Sequence, residues 1–274
     1  MLSDTYYASV RKHATNMLGL LTLNSKRSRY VKTLLRALNQ TDGLRSLSHI
    51  GQSDQNIRSF IRENTETCGG QSLTPEIRLR LFTPNCRFWR ERPELWPFED
   101  PYWAIYWPGG QAVTRYLLDN PGLCLGKKVL DVGSGCGASS IAAKLCGAAH
   151  VVANDIDPVA AVAFHMNCEL NGLDPPICTT DNMIGSEPED FDLILLGDMF
   201  YDEALATSLH CWLNRCIKTH RTQVLIGDPG RAQFEGHSIR RLLRQLAQFE
   251  LPESVREENY GLTCSSVWCY TPEV

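Results

Sequence analysis

The feature that most constrains the fold is an alternation of strand-like and helix-like segments after Gly126. Apolar runs typical of strands occur in the order KKVLDVG, HVVAND, PICTTDN, FDLILLGD and TQVLIGD. Segments with helical periodicity lie between or after them, namely ASSIAAKLCG, PVAAVAFHMNCELNG, EALATSLHCWLNRC and SIRRLLRQLAQF. This repetition predicts an α/β fold with a doubly wound, mostly parallel sheet and helices on both faces. The last strand, LTCSSVWCYTP, follows an acidic segment and is predicted to be an antiparallel edge.

A glycine-rich turn after the first of these strands marks the expected ligand site, because ligands of such sheets bind beyond the carboxyl ends of the strands. The strand-end carboxylate Asp131 is followed by Gly133, Ser134, Gly135 and Gly137. Glycines permit a positive φ and a close approach of ligand to backbone, and the next helix supplies free N–H groups. The G-x-G-x-G spacing disfavours a dinucleotide, whose pyrophosphate Asp131 would repel. The carboxylate can instead pair with the ammonium of a methionine moiety.

The next two strand ends carry further candidates for ligand binding. Asp155 ends the second strand, where a carboxylate can accept both hydroxyls of a ribose. Asp157 precedes a helix that starts near a proline and is predicted to cap it. Asp181 and Asn182 end the third strand, where a side chain could bond an adenine amine, but both residue types also favour turns. The sequence leaves those two roles of Asn182 open.

The fourth strand ends in the segment LGDMFYDE, which places acids and aromatics where the group to be modified should be presented. Asp198 and Tyr201 are predicted to be functional. Phe200 is predicted to be a core residue, and Asp202 is predicted to cap the helix that follows. This strand end is therefore the predicted catalytic position.

Residues 54–110 are predicted to form a short N-terminal cap with an aromatic flap, ahead of a core domain at 111–274. The flap, LWPFEDPYWAIYWPGG, contains three tryptophans and two tyrosines. We expect Trp96 to close the hydrophobic core. Trp107 could serve the same purpose or line a ligand pocket, and the sequence alone leaves that open.

Charge divides the chain into two parts. Residues 1–53 carry eight Lys and Arg against two Asp, a net charge of +6, which leaves −10 for the remainder. The leader has the composition of a mitochondrial transit peptide, the alternative being a basic arm or helix. The acidic body disfavours nucleic acid as a partner. Apolar runs are too short to cross a membrane.

The eleven cysteines are odd in number and scattered, which predicts reduced thiols rather than a disulfide framework. Two C-x4-C pairs, Cys211 with Cys216 and Cys264 with Cys269, lack the spacing of common zinc sites and have no accompanying histidine pair. We therefore predict no bound metal.

Taken together, these motifs resemble the D-x-x-Y group of seven-strand, Rossmann-like protein methyltransferases. Within that group, the chain resembles the electron transfer flavoprotein β-subunit lysine methyltransferases, over residues 54–274, in the segments SLTPEIRLRLFTP, DPYWAIYWPGGQA, LDVGSGCGA, ANDIDP, LGDMFYDE and VLIGDPGR. The resemblance implies a seven-strand sheet, S-adenosyl-L-methionine as cofactor, lysines of the flavoprotein β subunit as substrate, and a mitochondrial matrix location. It implies that Tyr201 lies beside the target lysine and that the cofactor pocket is lined by Trp107, Asp131, Gly133, Gly135, Asp155 and Asp198.

Methyl transfer to lysine requires a neutral amine. Lysine has a pKa of about 10.4, so at about pH 7.4 roughly one side chain in 1000 is neutral. Aromatic burial beside a cationic sulfonium would lower that pKa, whereas the Asp198 carboxylate would raise it. We therefore expect Asp198 to orient the amine while the proton leaves to water.

Three alternatives compete with this interpretation. A nicotinamide-dependent dehydrogenase is disfavoured by the glycine spacing and by Asp131. A methyltransferase acting on another protein or a small molecule would have the same fold. A non-catalytic binding protein or chaperone could retain the pocket.

Overall fold

The chain folds as two units. A computed structural model describes residues 43–91, 95–98, 100–259 and 261–271. Of the described residues, the smaller unit includes those of 43–64 and 84–100, and the larger unit includes those of 65–83 and 101–271. Residues 65–83 and 101–110, which the sequence assigned to the cap and flap, thus belong to the unit that contains the sheet. Most of the predicted leader, 1–53, lies outside the described residues.

In the smaller unit, an aromatic cluster forms around Phe60. This unit contains helices α1 (Gly43–Asn64) and α2 (Arg87–Arg90). The ring centroid of Phe60 lies 5.1 Å from that of Trp96 and 5.2 Å from that of Phe98, and Phe88 lies 4.9 Å from Trp96. Trp96 is therefore a packing residue of this unit.

In the described residues of the larger unit, nine strands form two sheets. A hairpin pairs β1 (Glu66–Cys68) with β2 (Leu79–Leu81). The main sheet contains β3 (Lys128–Val132), β4 (His150–Asn154), β5 (Ile177–Thr179), β6 (Leu193–Gly197), β7 (Gln223–Asp228), β8 (Leu243–Glu250) and β9 (Cys264–Tyr270). Its order is β5-β4-β3-β6-β7-β9-β8, in which the first five are parallel and β9 is antiparallel to both neighbours. The predicted mostly parallel, seven-strand sheet is confirmed.

Helices cover both faces of this sheet, as predicted. The α-helices in the described residues of this unit are α3 (Pro108–Asp119), α4 (Ala138–Leu145), α5 (Pro158–Leu170), α6 (Glu203–His220), α7 (Ala232–Gly236) and α8 (Glu253–Glu258). Alternate strand residues point to opposite faces, so Val129 belongs to one buried cluster and its neighbour Leu130 to another. The first cluster includes residues of α3, α4 and α5, and the second includes residues of α6 and α7.

Two predictions at the end of the sheet were wrong. The segment SIRRLLRQLAQF is not a helix, because it forms a 3-10 turn (Ser238–Leu242) and then strand β8. A bulge between Gln245 and Ala247 lets Leu243 face one cluster while Leu246 and Phe249 face the other, and this spacing imitates helical periodicity. The segment forms a strand because it pairs with β9 along the whole length of β9. Strand β9 is antiparallel, as predicted, but it is an interior strand, and the antiparallel edge is β8.

Other predictions concern the chain as a whole. All eleven cysteines are free thiols. Among the described helices, none is both long and apolar enough to cross a membrane. In the part of the chain that the structure describes, no group of three His, Cys, Asp or Glu side chains could hold a metal ion.

Candidate active site

The glycine-rich turn after β3 has the backbone conformation that the sequence predicts. Gly133 and Gly137 adopt φ of +65° and +81°, in the left-handed region. A Cβ on Gly133 would lie 2.2 Å from Met199 Sδ, and one on Gly137 would lie 2.0 Å from the Phe164 ring. Glycine is therefore required at both positions by conformation and by space. The turn ends where α4 begins, and the first N–H groups of a helix have no partner within it.

Asp155 ties this turn to the end of β4. Its Oδ2 accepts a hydrogen bond from Gly135 N at 2.9 Å, and its Oδ1 accepts one from Asp157 N at 3.0 Å. Burial raises the pKa of Asp155, and both N–H donors oppose that change. Asp157 caps α5 by accepting from Val159 N at 2.8 Å, so that prediction is confirmed.

Asp131 is the penultimate residue of β3, at the strand end as predicted. It is buried, and its Oδ2 accepts a hydrogen bond from Ser140 Oγ at 2.7 Å. Burial raises the pKa of Asp131 to about 6, although the bond from Ser140 lowers it. The structure thus gives Asp131 a partner on α4, and its pairing with a methionine ammonium stays a prediction.

Asn182 has a turn role. It is exposed, and its Oδ1 accepts a hydrogen bond from Ile184 N at 3.0 Å. The buried Asn154, which the sequence did not single out, holds this strand end because its Nδ2 donates to Thr179 O at 3.0 Å and to Asp181 O at 2.8 Å. Binding of an adenine amine by Asn182 stays a prediction.

Asp198, at the end of β6, is buried and fully engaged. Its backbone adopts φ +58°, which is uncommon for a residue other than glycine. Its Oδ1 accepts a hydrogen bond from Arg231 Nε at 2.7 Å and a second from Arg231 Nη2. Its Oδ2 accepts from Gly109 N at the start of α3, and its own N–H donates to Gly227 O at 2.9 Å. One side chain thus joins β6, α3 and the loop after β7.

Glycines allow α3 to abut the sheet at this point. A Cβ on Gly109 would lie 2.3 Å from Gly227 O, and one on Gly197 would lie 2.6 Å from the Cα of Gly110. Gly197 and Gly227 face each other across β6 and β7. Backbone therefore packs directly on backbone, which places the N–H of Gly109 within reach of Asp198.

Three aromatic side chains lie beside this junction. Trp107 precedes α3, donates from Nε1 to Tyr102 O at 2.9 Å, and its ring centroid lies 5.5 Å from the Arg231 guanidinium. The rings of Tyr102 and Tyr201 are stacked with a centroid distance of 6.4 Å. Tyr102 is 40% exposed and Tyr201 41% exposed, so both rings are open to a partner. Partial burial of its hydroxyl raises the pKa of Tyr201, and the negative charges of Asp155 and Asp202 raise it further.

Asp228, at the end of β7, is a second buried acid that the sequence analysis missed. Its Oδ1 accepts hydrogen bonds from Gly230 N at 2.7 Å and from Arg231 N at 2.8 Å. No described residue bonds its Oδ2, which is buried. Burial and the neighbouring Asp198 raise the pKa of Asp228 to about 7. In the sequence, Asp228 and Arg231 belong to the segment VLIGDPGR, which carries part of the family resemblance.

Comparison with known proteins decides the family. The electron transfer flavoprotein beta subunit lysine methyltransferase of Danio rerio is 70% identical over 218 residues, which cover 80% of this chain and 84% of that protein. The protein of the same name from Homo sapiens is 59% identical over 219 residues, covering 80% of this chain and 84% of that one. The chain belongs to the electron transfer flavoprotein β-subunit lysine methyltransferase family. The predicted resemblance is confirmed, and membership of this family excludes the alternative of a nicotinamide-dependent dehydrogenase.

More distant similarities involve methyltransferases of other substrates. The family model of ribosomal protein L11 methyltransferase (PrmA) matches residues 117–196, which include the glycine-rich turn and Asp155. Among solved structures, the ribosomal protein L11 methylase of Lactobacillus delbrueckii subsp. bulgaricus is 19% identical with a TM-score of 0.44, covering 73% of this chain and 97% of that one.

In this lysine methyltransferase, most of the residues predicted for the site lie together at the carboxyl ends of the parallel strands. Asp155 contacts the turn at Gly135, and Asp198 contacts the start of α3 beside Trp107. Phe200 is fully buried and Asp202 caps α6 by accepting from Leu205 N at 2.9 Å, as predicted. Asn182 lies apart in its turn.

Proposed function

We propose that this lysine methyltransferase uses S-adenosyl-L-methionine to methylate lysines of the electron transfer flavoprotein β subunit. The observation that carries the proposal is the contact of Asp155 with Gly135 at the glycine-rich turn, beside the exposed ring of Tyr201. The substrate is taken from the name of the relatives that are 59% and 70% identical to the chain.

The residues at the carboxyl ends of the parallel strands fit the cofactor. A Cβ on Gly135 would meet only the Cα of Trp103, at 3.7 Å, and the backbone O of Gly133, at 4.0 Å, so the turn has room on that side. Each oxygen of Asp155 accepts one N–H and has a lone pair left for a ribose hydroxyl. We assign the backbone of Gly133, Ser134, Gly135 and Gly137 to the methionine and ribose portions. When bound, S-adenosylmethionine supplies a methyl group activated on a cationic sulfur.

The chain's own contribution to lysine activation is burial and positioning. The stacked rings of Tyr102 and Tyr201 offer apolar faces that attract an ammonium and displace its water. Desolvation lowers the pKa of a lysine amine. The charge of Asp198 is compensated by the paired guanidinium of Arg231, so Asp198 raises the pKa of the lysine less than an unpaired carboxylate would. The proton leaves to water, and Asp198 orients the amine indirectly, by fixing the wall of the site.

We also propose a location in the mitochondrial matrix. The net charge of +6 over residues 1–53 supports it, because a cationic leader is drawn toward a negative compartment. Removal of residues 1–53 should abolish import of the protein into isolated mitochondria. Unchanged import of the shortened chain would refute this location signal.

Transfer of labelled methyl groups into a mitochondrial lysate tests the function without assuming the substrate. The wild type should label a band at the size of the flavoprotein β subunit. Asp155→Ala should reduce labelling by about 100-fold, because it removes the acceptor for the ribose and the tie to Gly135. Asp174→Ala, which changes an exposed acid, is the matched control and should label normally. Labelling of another protein would reject the substrate, and equal labelling by Asp155→Ala would reject the site.

A further inference from the structure

Arg231 is the basic side chain that pairs with the buried Asp198, and neither the sequence nor the family name assigns it a role. We propose that Arg231 is a positioning residue for methyl transfer, which keeps Asp198 ionised and locked against the start of α3 and so holds Trp107 at the site. This inference rests on the proposed function of the same site.

The guanidinium of Arg231 forms a fork whose two donors converge on one carboxylate oxygen. Both Nε and Nη2 of Arg231 donate to Oδ1 of Asp198. The other oxygen, Oδ2, remains for the N–H of Gly109. A planar guanidinium can make such a paired contact, whereas the point charge of a lysine cannot reproduce it. Arg231 therefore sets the orientation of the carboxylate as well as its charge.

The surroundings explain why Asp198 needs this cation. Asp198 is 5% exposed and Asp228 is 1% exposed, so two acids share one buried region. The groups that face Asp198 are the Arg231 guanidinium, the Asp228 carboxyl and the N–H groups of Gly109 and Gly110. Burial raises the pKa of Asp198, and Arg231 opposes this. Without Arg231, Asp198 would take up a proton at a higher pH and hold α3 less firmly.

Arg231 also reaches the aromatic wall. Its guanidinium lies 5.5 Å from the ring centroid of Trp107, the residue that precedes α3. Its backbone N–H donates to Asp228 at 2.8 Å, which fixes the start of the loop after β7. One arginine thus links the ends of β6 and β7, the start of α3 and the aromatic rim.

The test compares Arg231→Gln with Arg231→Lys and with the control Arg240→Gln. The Arg240 side chain is 29% exposed, against 23% for Arg231, and it lies over the ring of Trp268 and bonds Glu235 rather than Asp198. For methyl transfer to the flavoprotein β subunit, Arg231→Gln should lower kcat by about 30-fold and move the acidic limb of the pH profile upward by about one unit. Arg231→Lys should lower kcat by about tenfold with a smaller shift, because it keeps the charge but loses the fork. Arg240→Gln should match the wild type.

A double-mutant cycle with Asp198→Asn needs no protein substrate. If Arg231 acts through Asp198, then Arg231→Gln should weaken S-adenosylmethionine binding by about fivefold in the wild type and by less than twofold in Asp198→Asn, measured by calorimetry. Equal effects in the two backgrounds, or an Arg231→Gln profile with an unshifted acidic limb, would overturn the proposal. Because binding is measured without the flavoprotein, failure of the proposed substrate is seen separately, as absent turnover by the wild type.

Discussion

At the scale of single residues, Gly137 shows how backbone conformation and space act together. Its φ is +81°, and a Cβ there would lie 2.0 Å from the buried ring of Phe164. Gly137→Ala should therefore lower the free energy of unfolding by about 3 kcal/mol, from left-handed strain plus overpacking. Gly172→Ala is the matched control, because Gly172 has φ +66° with nothing within 4 Å, and it should cost about 1 kcal/mol. Equal losses in urea unfolding would show that Phe164 does not constrain the turn.

Asp228 makes stability depend on pH. Burial raises its pKa to about 7 in the folded state, above the value of an unfolded aspartate. Between about pH 4 and pH 7 the Asp228 carboxyl is therefore protonated in the folded state but ionised in the unfolded state. The stability that Asp228 contributes is complete below about pH 4 and is lost as the pH rises through 7. Asp228→Asn should stabilise the protein at pH 8 by about 1 kcal/mol and have little effect at pH 4. Thermal unfolding at the two pH values measures this, and an equal effect at both would contradict the assignment.

The sequence predicted the residues whose roles are local, and it missed those whose roles depend on distant contacts. The caps formed by Asp157 and Asp202 are bonds to backbone two or three residues away, so the local pattern was sufficient. The pairing of Arg231 with Asp198 spans 33 positions and exists only once β6 and β7 lie side by side. Nothing in the order of residues indicates that contact.

At the scale of elements, the placement of α3 against the sheet depends on four glycines, which are Gly109 and Gly110 in α3, Gly197 in β6 and Gly227 in β7. A Cβ on Gly227 would lie 2.0 Å from Gly109 O and 2.7 Å from Val113. Gly227→Ala should therefore push α3 away from the sheet, lower the free energy of unfolding by about 3 kcal/mol and weaken cofactor binding. Gly236→Ala in α7 is the control, since nothing lies within 4 Å of that position. Unfolding and calorimetry of both variants test this, and wild-type cofactor affinity in Gly227→Ala would contradict it.

The parallel half of the sheet followed from the repeated units, and the end of the sheet did not. Strands β3, β4, β6 and β7 are each followed by a helix, and this repetition predicts parallel strands joined by right-handed connections. Strand β5 is followed directly by β6. The segment that forms β8 has leucines at helical spacing, but it contains a bulge and pairs with β9, and it is therefore a strand. Strand β9 is interior because it pairs with β7 on one side and with β8 on the other, which is a property of the assembled sheet rather than of either segment.

At the scale of the whole molecule, charge and family membership point in the same direction. The residues after the leader carry a net charge of −10, which suits a substrate that presents lysines. The site has two tyrosines and a tryptophan at its rim, and its buried acids Asp198 and Asp228 are held by Arg231 and by backbone N–H groups. We therefore propose that this site binds and positions an amine and does not act as a strong base.

The measurement that tests this account most directly is the mass spectrum of the purified flavoprotein β subunit after incubation with this protein and S-adenosylmethionine. We expect whole methyl groups on lysine side chains with the wild type and with Asp174→Ala, and about 100-fold slower modification with Asp155→Ala. An unmodified β subunit in the presence of a protein that binds the cofactor, or methyl groups confined to residues other than lysine, would contradict the account.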